Sequence, residues 1–213
     1  MKLRRGDRDL AGLTVLALLW TGPRHTYDMH RLMLDWHKDF VTGLPRSMYH
    51  AVDRLLRDGF IEPVGAERPG PRPERTVYAL TKAGARELHE RERRLLRVPD
   101  RDSTLLVAAL SFLGVLPPGE AAEALRQRVT ALTEETSALS TELEAVSGEL
   151  PRLLLLETEY ERVRREAELA WVRAVAEDIG AGKLQWSREQ LAAQEGRTLP
   201  PEETEETETG TDE

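Results

Sequence analysis

Arg46-Ser47-Met48-Tyr49-His50-Ala51-Val52-Asp53-Arg54-Leu55-Leu56-Arg57-Asp58-Gly59, running straight into Phe60-Ile61-Glu62-Pro63-Val64, is the stretch that decides the fold. Met48, Val52, Leu55 and Leu56 return at helical spacing and form one apolar stripe. Ser47, His50, Asp53, Arg54 and Arg57 fall on or near the opposite face, with Tyr49 beside them and Arg46 at the N-terminal end. Gly59 is a suitable stop, since glycine accepts the left-handed conformation that closes a helix. Phe60 to Val64 then reads as a short strand.

Upstream, Leu10, Leu13, Leu16 or Ala17, and Trp20 mark a first helix, which Gly22-Pro23 ends. A second helix is predicted from Thr26, with its hydroxyl as cap, through Met29, Leu32, Met33 and Trp36. Phe40 to Pro45 form a short connection. Downstream, Thr76 to Leu80 form a second strand. Gly65 to Arg75, between the strands, holds three prolines and two glycines and reads as an exposed hairpin loop. Thr81-Lys82-Ala83-Gly84 opens a strongly charged helix that ends before Pro99. Three helices followed by a two-stranded wing are the order of a winged helix-turn-helix.

From Asp102 the pattern is purely helical. Ser103 to Leu116 is apolar and stops at Pro117-Pro118. Leu125, Val129, Leu132, Thr136, Leu139, Leu143 and Val146 alternate spacings of four and three. Beyond Gly148, Pro151 is expected to begin a last long helix. There Leu153, Leu156, Tyr160, Val163, Ala167, Ala170 and Ala174 repeat the alternation, so each segment carries a seam for another helix. Ser187 with Gln190 suggests a capping box in a short extension. The tail is Pro, Glu and Thr, with seven acids and no base or apolar side chain in residues 202–213, and is expected to be disordered. The expected fold is mainly α with a small β wing: a winged helix-turn-helix over 1–98, a helical dimerisation domain over 99–180, an extension over 181–197 and the tail over 198–213.

Composition narrows the function. The chain has no cysteine, so disulfides and thiolate metal sites are excluded. Net charge is −8, but residues 1–98 hold 19 Lys and Arg against 13 Asp and Glu. That leaves a basic half able to meet a polyanion, because salt confines each field to about 10 Å. Lys2, Arg4 and Arg5 before the apolar run superficially resemble a signal peptide. Asp7 and Asp9 interrupt them, the run is too short for a bilayer, and no small-residue cleavage site follows. A cytoplasmic protein without a membrane segment is expected.

The third helix buries one face and offers the other, as reading a major groove requires. Arg68, Arg72 and Arg75 stand on a proline-stiffened loop that suits phosphate or minor-groove contact. Here the chain resembles the PadR family of transcriptional regulators. The resemblance rests on Val15-Leu16-Ala17-Leu18-Leu19, Gly22-Pro23-Arg24-His25-Thr26-Tyr27, Arg46-Ser47-Met48-Tyr49, Arg54-Leu55-Leu56-Arg57-Asp58-Gly59-Phe60-Ile61 and Tyr78-Ala79-Leu80-Thr81-Lys82-Ala83-Gly84. A looser likeness runs through Leu153 to Leu156, Glu159-Tyr160 and Ala167-Glu168-Leu169-Ala170-Trp171. Where the family has His-Gly-Tyr and Gly-Ser-Leu-Tyr, this chain has His25-Thr26-Tyr27 and Arg46-Ser47-Met48-Tyr49, which points to a different DNA preference. The resemblance implies that Tyr27, Ser47 and Tyr49 touch DNA. With Arg46, His50, Arg54, Arg57, Arg68, Arg72 and Arg75 they make up the expected DNA-binding set.

The resemblance also implies a homodimer joined through the C-terminal helices on a palindromic operator, repression, and release by a small aromatic effector. Trp36 and Trp171 are the large rings available for such a ligand, but simple core packing is the expectation for both and neither is counted as a ligand residue. The competing class is a helical adaptor that never touches DNA. An enzyme is not expected. His30 and His37 lack a third metal ligand, and neither a nucleophile elbow nor a phosphate-binding glycine loop occurs. No cofactor is expected.

Overall fold

In a computed structural model, residues 2–36, 38, 45–67 and 75–194 are described. The elements, in chain order, are α1 (Leu10–Trp20), β1 (Arg24–His25), α2 (Thr26–Asp35), α3 (Pro45–Arg57), β2 (Ile61–Glu67), β3 (Arg75–Leu80) and α4 (Lys82–Arg97). Next come α5 (Ser103–Ser111), α6 (Pro118–Val146), α7 (Leu156–Gly180) and α8 (Arg188–Gln194). The fold is mostly helical with one small antiparallel sheet, ordered β1-β3-β2. The disordered tail, His37, Arg68 and Arg72 of the sequence reading lie outside the described residues.

α1 is apolar all round, and Gly12 to Leu19 are all buried. Such a helix has to be enclosed, and here α3, α4 and β3 pack on it. Its carbonyl end is closed by a side chain just beyond it: buried Arg24 donates Nε to the Leu18 carbonyl at 2.7 Å and Nη2 to Thr21 Oγ1 at 2.6 Å.

α3 turns its apolar stripe inward as read, with Met48, Val52 and Leu55 buried and Ala51 added to them. Gly59 ends it at φ 72°. The Gly59 N–H donates to Leu56 and the Phe60 N–H to Leu55, a pairing that satisfies the last carbonyls and turns the chain into β2. The Thr81-Lys82-Ala83-Gly84 motif has a physical reason. Thr81 Oγ1 accepts from the Gly84 N–H at 3.0 Å and donates to the Gly59 carbonyl at 2.8 Å. A Cβ on Gly84 would collide with the Phe60 carbonyl. The wing is thereby fixed to the start of α4.

α4 carries the winged helix into the C-terminal half, packing on α1 and also on α5 and α6. Buried Asp7 and Arg94 pair at 2.9 Å, pinning the N-terminal turn to α4. α6 and α7 form a long antiparallel hairpin, with Leu125 and Leu132 of α6 and Val172, Ala176 and Ile179 of α7 all buried.

Four details differ from the sequence reading. The ladder continues into the expected Gly65 to Arg75 loop, because Gly65 to Glu67 pair as the end of β2 and Arg75 opens β3. Thr26 does not cap α2; His25 does, its Nδ1 accepting from the Tyr27 N–H at 3.0 Å. β1 was not foreseen, because two residues are too few to carry a period. Pro151 precedes a 3-10 turn at Arg152–Leu155, and the α-helix starts only at Leu156.

Glu92 on α4 is fully buried, and neither carboxylate oxygen has a hydrogen-bond partner. Burial pushes its carboxyl well above the usual carboxylate range. The fold therefore holds the proton more tightly than the unfolded chain does. Stability contributed this way is complete below the unfolded carboxyl's pKa and is lost as pH rises toward the folded one. Glu92→Gln should match the wild type near pH ~4 and gain on it by up to about 1.4 kcal/mol per pH unit above that. Urea titrations across pH measure this, and equal stabilities at neutral pH would refute it.

Candidate nucleic-acid interface

The outer face of α3 carries Arg46, Tyr49, His50, Asp53 and Arg57, all exposed, with Ser47 half-buried on its flank. Arg57 Nε donates to the Asp53 carbonyl at 3.3 Å, which steadies the side chain along the helix. The helix packs on α1, α2 and β2, leaving this face open. A major groove can admit such a face, and arginine, histidine and tyrosine supply donors for base edges and phosphates.

Arg54 is placed differently from its helix neighbours. Its Nη2 bonds Asp9 Oδ2 at 2.5 Å, while Asp9 Oδ1 accepts from the Gly12 N–H at 3.1 Å and so caps α1. A Cβ on Gly12 would collide with that carboxylate. Arg54 thus ties α3 to the start of α1, and its guanidinium is turned from the outer face that the sequence reading gave it. Asp9 is a positioning residue that sequence reasoning missed. It lies 45 residues from Arg54, beyond any local pattern.

The structure brings Tyr27 and Arg75 together. Tyr27, 46% exposed at the start of α2, lies beneath the Arg75 guanidinium, 4.9 Å from the ring centroid. This contact joins the base of the wing to the first turn of α2, a link that no spacing in the sequence announces. Among the described residues no group of three metal-ligating side chains is close enough to hold an ion.

A cavity of about 380 Å³ opens between α1, α5 and α8. Trp20, Trp36 and Phe112 line it, together with Lys38. Lys38 Nζ donates to the Ser111 carbonyl at 2.6 Å and lies 5.6 Å from both the Trp36 and Phe112 rings. Burial lowers the pKa of this ammonium. The two tryptophans singled out from sequence are not core residues. Trp36, just past the end of α2, is 36% exposed at the cavity, and Trp171 is 49% exposed on the side of α7 away from buried Val172 and Ala176.

The description "Transcriptional regulator PadR-like family" matches residues 15–90, the segment from α1 into α4. Over this segment the chain is similar to the PadR-like family. No curated protein matches the chain. Among solved structures, PadR of Bacillus subtilis in complex with operator DNA is 22% identical, covering 79% of this chain and 98% of that one, with a TM-score of 0.36. The same protein in complex with p-coumaric acid is 21% identical over 80% and 99%, with a TM-score of 0.33. The PadR-like regulator BC1756 of Bacillus cereus is 15% identical over 81% and 99%, with a TM-score of 0.35. Scores of this size add nothing to the family match over residues 15–90. That PadR-like segment holds every residue of the expected DNA-binding set.

Proposed function

We propose that this PadR-like chain is a cytoplasmic, homodimeric transcription regulator that represses by binding a palindromic operator and is released by a small aromatic effector. The observation that carries the proposal is the open polar face of α3, where Arg46, Tyr49, His50 and Arg57 are all exposed among the described residues. The family match supports a regulator rather than an enzyme. Tyr27, Ser47 and Arg75 are proposed as further DNA contacts. Arg68 and Arg72, between β2 and β3 in the sequence, are proposed likewise. Arg54 contributes chiefly by holding α3 in place.

Dimerisation rests on α7. The sequence seam Leu153, Leu156, Tyr160, Val163, Ala167, Ala170 and Ala174 is exposed in the single chain, because α7 packs on α6 through its other side. An effector is supported by the aromatic cavity, whose volume suits a small molecule. Domain limits at 98 and 180 fit this reading: α4 bridges the two parts, and α7 ends at Gly180. Among the described residues, no helix is long and apolar enough to cross a membrane.

A salt series tests the DNA reading. If a dimer neutralises about six phosphates, log K should fall linearly with log salt at a slope near −5. Anisotropy with labelled duplex measures the slope. Absence of binding at low salt would favour a helical adaptor instead.

A further inference from the structure

Past Gly180 the chain reverses. Gly182 takes φ 73°, its N–H donates to the Ile179 carbonyl, and the Lys183 N–H donates to Asp178. This pairing ends α7 and sends the chain back. The returning segment docks on elements far away in sequence. Trp186 Nε1 donates to the Leu116 carbonyl at 2.9 Å. The Arg188 guanidinium donates twice to the Trp20 carbonyl, at 3.1 and 2.8 Å, and lies 4.1 Å from the centroid of the Trp20 ring. A cation at the carbonyl end of α1 also complements the negative end of the helix dipole.

Leu191 fills a notch that only glycine leaves, for a Cβ on Gly114 would collide with its Cδ1. Ala192 is fully buried, and Leu191 and Gln194 form one wall of the cavity. Yet α8 has only seven residues, too few to persist as a helix away from the surface it docks on. Its capping box is complete: the Ser187 N–H donates to Gln190 and the Gln190 N–H to Ser187 Oγ. The helix is therefore self-contained at its start and borrows its stability from Trp20 and Gly114.

We propose that residues 181–194 are a latch. It undocks from Trp20 and Gly114 as a unit while the rest stays folded, which opens the cavity on that side and cuts a tie between α7 and the winged helix. Arg188 is its anchor. An occupant of the cavity would press on Leu191 and Gln194. On the effector reading above, the latch is then the element whose equilibrium the ligand biases. Local opening of this kind is expected where a short segment is held by few contacts.

The latch can be tested without any effector or DNA, so its failure is separable from theirs. The sequence has no cysteine, and Ala192 and Ala51 are both 0% exposed, which makes Ala192→Cys and Ala51→Cys matched reporters for DTNB. The thiol at 192 should react at least about tenfold faster than the one at 51. Adding Arg188→Ala should speed the former by about tenfold again, through loss of charge-assisted bonds, and the latter by less than about twofold. Equal rates, or equal acceleration at both positions, would overturn the latch. Hydrogen exchange on the unmodified chain covers the case of a variant that fails to fold. The Leu191 amide, bonded to the Ser187 carbonyl, should exchange well before that of Leu13 in α1, and equal protection would overturn the proposal.

Discussion

Leu156→Glu, Tyr160→Glu and Val163→Glu together should make the protein run as a monomer on a sizing column and lose at least about a hundredfold in affinity for a palindromic duplex. The three side chains are 45%, 66% and 54% exposed on α7, on the side turned away from α6. Leu153 at 75% and Trp171 at 49% extend the strip in both directions. A large exposed apolar strip usually marks an interface, and a second copy is the occupant that the proposed two-fold operator binding would need. Glutamates there face solvent in the monomer, so folding should be unaffected, while pairing would bury several charges. The affinity loss arises because tethering two winged helices turns the second half-site contact into an intramolecular event. A triple variant that stays dimeric, or a monomer that binds the palindrome as tightly as the wild type, would place the interface elsewhere.

Arg128→Ala should lower unfolding stability by about 3–5 kcal/mol, the usual cost of orphaning one partner of a buried ion pair. Arg128 is 2% exposed. Its Nε bonds Glu168 Oε1 at 2.7 Å, and its Nη1 donates to the carbonyls of Leu95, Leu96 and Val98 at 3.1, 3.3 and 2.9 Å. One side chain thus closes the end of α4 and fastens α6 to α7. Its own pKa is pulled down by burial, which Glu168 partly offsets. Arg128→Ala with Glu168→Ala should lose less than the two single changes added together, since the second removal relieves a carboxylate already stranded. Denaturant midpoints with unchanged slopes measure this, and a loss below about 1 kcal/mol would show the pair to be dispensable.

How much of this was legible in the sequence depends on the range of each interaction. α1, α3 and the wing strands were readable because apolar periodicity, Gly22-Pro23 and Gly59 act within a few residues. The polar outer face of α3 came with them, since a stripe on one side dictates what remains on the other. Asp9 holding Arg54 and Arg75 covering Tyr27 were not readable, because each joins elements that only the tertiary fold brings together. The seam on α7 was visible as a period of 3.5 residues, yet the period is silent on whether the helix within the chain or a second copy receives it. In the structure that seam faces outward, and α6 takes the side carrying Leu155, Val172, Ala176 and Ile179. Trp36 shows the limit of reading by residue type. A large ring in a helical pattern looked like core and instead lines a cavity.

The central claim is that the outer face of α3 enters a duplex groove, and selection from a random DNA pool followed by titration of α3 variants tests it most directly. Arg46→Ala and Tyr49→Ala should each weaken binding to the selected site by about 5- to 150-fold, with relaxed preference at one base position for a base-contacting side chain. Arg126→Ala, which removes an exposed charge on α6 far from α3 in sequence, should bind as the wild type does. α3 variants that hold the selected site with wild-type affinity and the same base preferences would contradict the account.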